Sequence, residues 1–130
     1  MSYLLAWFAI VVVFLVIDAI WLTRVMKPIF LRYVGELMRE SPKLGVAGAF
    51  YAVYCAGILY FAAIPAAEAG DPLIALRDGA ILGLMAYGTY EATNMATLRG
   101  WSWPMVAIDT AWGTALTAVS ALAGYAALAL

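Results

Sequence analysis

Hydrophobic and polar positions alternate along this chain in long blocks. Four mainly apolar stretches, at about 3–23, 45–65, 78–98 and 104–130, are separated by three more polar segments. About 20 apolar residues suffice to cross the hydrocarbon core of a bilayer, so each stretch is predicted to be a transmembrane helix. The third stretch is the most polar of the four. The sequence therefore predicts an all-α, four-helix transmembrane bundle that forms a single domain over residues 1–130.

The first polar segment has a helical pattern of its own. In "KPIFLRYVGELMRES", apolar side chains recur at helical spacing and charged residues fill the other face. Pro28 suits the first turn of a helix. The pattern predicts an amphipathic interfacial helix over about 28–40, between spans one and two. Such a helix either covers the end of the bundle or serves as a lid or lipid-contact element.

Composition supports the membrane assignment and excludes several chemistries. The 130 residues are 67% hydrophobic and only 12% charged, whereas soluble domains have about 25% charged residues. The chain has no His and one Cys, which excludes zinc held by Cys and His, haem ligated by His, and Ser–His or Cys–His catalysis. We expect no metal and no cofactor. The net charge of −1 gives no basic excess, so no nucleic acid partner is expected.

The distribution of Lys and Arg predicts the orientation. Five of them lie in the first loop, Arg99 lies in the third, and the second loop holds only Arg77. Because positive residues favour the cytoplasmic side, loops one and three are predicted to be cytoplasmic. Both termini and loop two are then non-cytoplasmic. The N-terminus lacks the basic region of a cleaved signal peptide, so the first segment is expected to be retained as a span.

A short motif occurs in both the first and the last span. Residues 17–23 read "IDAIWLT" and residues 108–114 read "IDTAWGT", each with a Trp three positions after an Asp. Because these spans are antiparallel in the predicted topology, Asp18 and Asp109 are expected at the same depth, near the cytoplasmic end. Tyr-x-x-Tyr in "FYAVY" and "AYGTY" relates spans two and three in the same way. The two similarities suggest an internal repeat.

A third acid lies deeper in the same leaflet. Glu91 is eight residues before Arg99, about 12 Å into span three. An ionised acid inside a bilayer costs about 2.5–3.5 kcal/mol, and the spans contain no Lys, Arg or His to neutralise it. Three alternatives relieve this cost. Some of the acids are protonated, a cation binds between them, or water reaches them from the cytoplasm with Arg24 or Arg99 bending inward.

Helical spacing places aromatic and amide side chains beside the three acids. The predicted ligand-binding residues are Asp18, Trp21, Tyr51, Tyr54, Tyr87, Glu91, Asn94, Asp109 and Trp112. The alternative is structural, because acids near a span end can hydrogen bond Tyr, Trp or Asn of a neighbouring helix. Trp21, Trp101 and Trp103 are also typical of an interfacial aromatic belt. No catalytic residue is identified.

Small residues indicate where the helices meet. Spans three and four carry them at helical spacing, at Gly79, Gly83, Gly88, Gly113, Thr117, Ser120 and Gly124. Such positions let two backbones approach closely. We interpret them as packing positions.

The segments "YGTYEATNMATLRGW" and "AIDTAWGT", with "IDAIWL" and "FYAVY", carry a family resemblance. Over essentially the whole chain, the sequence resembles a bacterial family of small membrane proteins of unknown function. The resemblance implies a four-span, multi-pass protein of the bacterial inner membrane and supplies no activity. A looser similarity is to the small multidrug-resistance transporters, which also have four short spans and an intramembrane carboxylate among aromatic residues. Here, however, the acids lie in spans one, three and four.

Three functions compete at this stage. The first is binding or transport of a proton or small organic cation in an acid-lined aromatic pocket, where charge and cation–π contacts act together. The second is an accessory subunit of membrane-lipid modification. The third is an enzyme using Asp18 and Asp109 as a paired acid and base, which leaves open whether the chain is an enzyme. The expected partners are membrane lipid and either a second copy of this chain or another membrane protein.

Overall fold

Four long helices form the described part of the protein. The computed structural model describes residues 2–130. The helices are α1 (Tyr3–Leu37), α2 (Leu44–Ala69), α3 (Pro72–Thr97) and α4 (Trp103–Leu128). The connections between them are short. The prediction of an all-α membrane bundle is confirmed.

Three of these helices have the length and hydropathy of membrane spans. Within residues 2–130 these are α1, α2 and α4. α3 has 26 residues, about 39 Å of helix, which is also enough to cross a bilayer. It carries Arg77 and Asp78 in its second turn and has Thr and Asn residues near its end, so its composition is less apolar. The fourth span therefore stays a prediction from the sequence.

α1 continues without a break from the first predicted span into the predicted interfacial helix. It is α-helical over Tyr3–Trp21, π-helical over Leu22–Met26, and α-helical again over Lys27–Val34, with a final 3₁₀ turn. In the wide turn, the N–H of Lys27 donates to the carbonyl of Leu22. Its 35 residues span about 52 Å, which is more than the thickness of the hydrocarbon core of a bilayer.

The helices pack most closely where their residues are small. α3 and α4 form the most extensive pair, and α4 also packs along α1. A methyl group added at Gly83 would lie 2.3 Å from the carbonyl oxygen of Gly113, and one at Gly79 would lie 2.9 Å from the Cα of Ala118. Gly124 lies against Ile10 in the same way. The small residues thus act as packing positions, as their spacing predicts.

The two ends of the bundle differ in how α2 packs against the other helices. Its C-terminal part, with a second π turn at Leu59–Ala63, contacts both α3 and α4, whereas Leu44–Ile58 contacts mainly α1. We call the tightly packed end the closed half and the other end the open half. The closed half is centred on Ala6, Ile10, Ala62, Ala63, Ala66, Ala75, Ala121 and Gly124.

The end of α1 and the third loop lie at the same end of the bundle, beside the open half. Gly100 has a positive φ of 84° and lies so close to Tyr33 that an added Cβ would be 2.8 Å from the Tyr33 carbonyl oxygen. The rings of Phe30 and Trp101 lie 5.8 Å apart. At the opposite end, Asp71 caps α3 by accepting a hydrogen bond from the N–H of Leu73.

Candidate functional site

The open half contains a pocket of about 680 Å³. All four helices contribute to its walls. The lining residues are Asp18, Trp21, Leu22, Met26 and Phe30 of α1, Val46, Ala47, Phe50, Tyr51 and Tyr54 of α2, Ala86, Tyr87, Thr89 and Tyr90 of α3, and Asp109 of α4. Most of this surface is apolar or aromatic, and its charged groups are two carboxyls.

The π turn of α1 determines which side chains of this helix line the pocket. Asp18, Leu22, Met26 and Phe30 are each four residues apart and all line it. In a regular α-helix, a spacing of four advances the side chain by about 40° per step around the axis, so three steps would turn the last residue away. The wider turn at Leu22–Met26 offsets this drift. π turns of this kind are frequent at functional sites.

The two Asp-x-x-Trp motifs meet at the inner end of the pocket. Trp112 Nε1 donates a 3.1 Å hydrogen bond to Asp18 Oδ1. The Trp21 and Trp112 rings are stacked, with centroids 4.1 Å apart and planes within 4°. The two motifs do not bond each other symmetrically, because Trp21 Nε1 is buried and has no hydrogen-bond partner among residues 2–130.

A layer of aromatic side chains separates the pocket from the closed half. The Tyr54 hydroxyl shares a 2.9 Å hydrogen bond with the Thr117 hydroxyl. The Phe14 ring lies 5.6 Å from the Tyr54 ring and 5.5 Å from the Tyr51 ring. The Tyr87 ring covers Gly113, where an added Cβ would overlap the ring atoms. Gly113 is therefore the residue that gives Tyr87 its place beside the acids.

Glu91 is fully buried and lies behind the pocket wall. Trp101 Nε1 donates a 2.9 Å hydrogen bond to Glu91 Oε1. The Tyr87 ring lies against Gly113 where α3 and α4 pack, and Glu91 and Asp109 each lie one helical turn beyond this contact in the same direction, so the two buried carboxyls face each other across the interface. Glu91 Oε2 has no donor among the described residues. Asp109 therefore lies beside Glu91, whereas Asp18 accepts a hydrogen bond from Trp112.

No cationic side chain offsets these acids in the part of the chain that the structure describes. There, the one ion pair joins Arg77 and Asp78, 2.8 Å apart at the start of α3. Arg24 is exposed and Arg99 is exposed, so neither bends inward to the carboxyls. Over the same residues, no group of three or more acidic or Cys side chains is placed to hold a metal ion.

The structure distributes the nine residues that the sequence singled out between the pocket and its surroundings. Six of them line it: Asp18, Trp21, Tyr51, Tyr54, Tyr87 and Asp109. Glu91, Asn94 and Trp112 do not. Glu91 is covered by the Trp101 ring, Trp112 supports Asp18 from behind, and Asn94 lies half-buried one turn further along α3.

Several residues of the pocket were not predicted. Trp101 was interpreted as a belt residue, yet it is the hydrogen-bond donor to Glu91. Tyr90 follows Thr89 on the neighbouring face of α3, and both line the pocket. The contribution of Met26 and Phe30 depends on the π turn, for which the sequence gives no signal. The contribution of Trp101 depends on the fold of the third loop.

The helices and the pocket together define the class, a helical integral membrane protein with carboxyl groups in its interior. The sequence model of a family described as "Predicted membrane protein (DUF2177)" matches residues 3–126, and the chain belongs to this family. The resemblance to a family of membrane proteins of unknown function is therefore confirmed. No curated protein and no solved structure matches the chain.

Proposed function

We propose that this membrane protein binds a lipophilic organic cation in the pocket of the open half, as the first step of transport. The observation that carries the proposal is the pocket itself, in which two carboxyls, Asp18 and Asp109, lie among aromatic and aliphatic side chains. The volume of about 680 Å³ lies within the range of roughly 300–1,000 Å³ that small-molecule sites occupy.

Charge and ring chemistry favour a cation over other ligands. The lining holds two acids and, among the described residues, no Lys or Arg. The faces of Tyr51, Tyr87 and Trp21 can each add about 0.5–2 kcal/mol of cation–π attraction once the ligand loses its water. A neutral ligand would leave the cost of the two acids in place, and an anion would add to it.

The route into the pocket favours a ligand that partitions into lipid. Leu44–Ile58 of α2 packs mainly against α1, which leaves a gap towards α3. Val46, Phe50 and Tyr90 border this gap and are exposed. A ligand with apolar substituents around its charge can pass laterally from the membrane through an apolar gap of this kind.

Two ions of the same shape and opposite charge provide the test. We expect tetraphenylphosphonium, and not tetraphenylborate, to quench the Trp fluorescence of the purified protein saturably and to raise its melting temperature. Asp18→Asn and Asp109→Asn should each weaken binding about tenfold or more, since each removes a buried charge partner. Glu68→Gln, at an exposed acid of the closed half, is the matched control. Equal binding of both ions would contradict the proposal.

A second candidate function also has a specific observation in its favour. The lateral gap and the mostly apolar walls suit an acyl chain, as expected for an accessory subunit of membrane-lipid modification. Native mass spectrometry of the protein extracted from its own membrane distinguishes the two. A phospholipid that remains bound, and that tetraphenylphosphonium does not displace, favours the lipid function.

For the membrane arrangement we propose four spans in the bacterial inner membrane, with both termini non-cytoplasmic. The support is the split of Lys and Arg, six in loops one and three against one in loop two. The same orientation puts the open half in the cytoplasmic leaflet. A reporter fused after Leu130 should behave as non-cytoplasmic. Cross-linking in membranes tests whether a second copy or another membrane protein is the partner.

A further inference from the structure

Glu91 and Asp109 form a pair of buried carboxyls that the pocket alone does not explain. Glu91 is fully buried, and its one hydrogen-bond donor among the described residues is the neutral indole of Trp101. Asp109 lines the pocket, and it lies beside Glu91 across the α3–α4 interface, one helical turn from the contact between Tyr87 and Gly113. Among residues 2–130, Glu91 Oε2 has no donor. A hydrogen bond between two carboxyl groups requires a proton on one of them.

The side chains around this pair of carboxyls are acidic or neutral. The titratable side chains that line the pocket with Asp109 are Asp18 from α1, Tyr51 and Tyr54 from α2, and Tyr87 and Tyr90 from α3. None of these is a cation, and the described ion pair lies at the far end of α3. Two ionised carboxylates side by side there would have no cationic side chain among the described residues to offset their charge, and two acids at short range hold one proton between them.

We propose that Glu91 and Asp109 share one proton, and that a cation bound beside Asp109 releases it. The second part rests on the proposed cation pocket, whereas the first does not. In the free state the pair carries one proton and one negative charge. When a monovalent cation arrives, the proton leaves and both carboxylates are ionised, so the total charge of pair and ligand is still minus one. Binding of one cation thus releases one proton.

The first experiment tests the shared proton without any ligand. Infrared spectroscopy of the purified protein near neutral pH should show the C=O band of a protonated carboxyl, and Glu91→Gln should remove it. Gln keeps an acceptor for Trp101 and can donate to Asp109, so this variant should fold. Asp109→Asn provides a second test and should shift the frequency of the band, because the proton is then held by Glu91 alone and is no longer shared with a second carboxyl. If the wild-type spectrum has no band that depends on either residue, the shared proton is rejected, whether or not a cation binds.

The second experiment tests whether cation binding is coupled to proton release. Calorimetry with tetraphenylphosphonium in buffers of different ionisation enthalpy measures the protons released for each cation bound. We expect about one in the wild type and in Glu68→Gln, and close to none in Glu91→Gln. Binding without proton release would overturn the coupling. A carboxyl band without cation binding would instead overturn the proposed function and leave the shared proton supported.

Discussion

The closed and open halves of this bundle use the same four helices but fill the space between them differently. In the closed half, Gly and Ala let the backbones meet, and Gly124 lies against both Ile10 and Ala63. In the open half, the rings of Trp21, Tyr51 and Tyr87 stand between the helices around a pocket of about 680 Å³. The size of the interfacial side chains therefore sets the helix spacing, and the residues that prevent close packing are those that form the site.

The two halves also differ in how polar atoms are satisfied. The closed half is centred on apolar side chains, and Trp7, which packs against them, donates a 3.0 Å hydrogen bond to the backbone carbonyl of Ala52 on α2. In the open half, the long-range hydrogen bonds from Trp112 to Asp18 and from Trp101 to Glu91 hold the acids in place. In a bilayer, where no water competes, such bonds contribute about 0.6–2 kcal/mol each.

The largest expected effect comes from breaking the close packing. Gly83→Ala puts a methyl group 2.3 Å from the Gly113 carbonyl oxygen, which belongs to the backbone and cannot rotate away. We expect a loss of about 3 kcal/mol in the free energy of unfolding, at the upper end for over-packing. Reversible denaturation in detergent measures it. Gly57→Ala is the control, since nothing lies within 4 Å of that site. Equal effects at the two glycines would show that helix contact is not the cause.

A matched pair of substitutions compares the halves directly. Ala62→Leu enlarges a fully buried residue of the closed half and should lower the free energy of unfolding by about 2 kcal/mol. Ala47→Leu enlarges a residue that lines the pocket and should stay within about 0.5 kcal/mol of the wild type, because there is room for the side chain. The same variant should weaken tetraphenylphosphonium binding. A large loss of stability in Ala47→Leu would mean that the pocket is closed in solution.

Glu91 tests whether the buried acid also contributes to folding. Glu91→Ala leaves the Trp101 indole without its acceptor and should cost about 1–2 kcal/mol. Glu91→Gln keeps an acceptor and should cost less. Thermal unfolding of both variants in one detergent gives the comparison. If Glu91→Ala were more stable than Glu91→Gln, the hydrogen bond from Trp101 would have no stabilising role.

The smallest effect is expected at the boundary between the halves. Tyr54→Phe removes the hydroxyl that bonds Thr117 but keeps the ring against Phe14. We expect a loss of about 1 kcal/mol, the usual contribution of one hydrogen bond between neutral groups. Thr117→Val removes the same bond from the other side. In a double-mutant cycle the two effects should not add, and strict additivity would argue against the bond.

Much of the open half could be predicted from residue spacing. Asp18 lies six residues before Arg24 and Asp109 lies five residues after Pro104, and in antiparallel spans this spacing alone puts them at one depth. Tyr51 and Tyr54 are three residues apart on one face of their helix, and both line the pocket. Periodicity is reliable here because Asp18, Tyr51 and Tyr54 all precede the π turns of their helices and lie in regular α-helical stretches.

Residue spacing could not predict which side chains form hydrogen bonds with each other across helices. Each Asp-x-x-Trp motif contains both a donor and an acceptor, so the spacing leaves open which Trp bonds which Asp. The structure joins Trp112 to Asp18 and leaves Trp21 to stack. Trp101 reaches Glu91 because the third loop folds back beside Gly100, a backbone path that no periodicity encodes.

The sequence by itself determined that the chain is an all-α membrane protein, with Asp18, Glu91 and Asp109 towards one end of the bundle and its small residues on the interfaces. Length, hydropathy and helical period are properties of single helices, and they follow from local sequence. Only the tertiary structure decided that α2 leans away at Leu44–Ile58, that α1 widens at Leu22–Met26, and that Asp109 lies beside Glu91. These features depend on how side chains of different helices fit together, because the bilayer gives apolar surfaces no preference for one another over lipid.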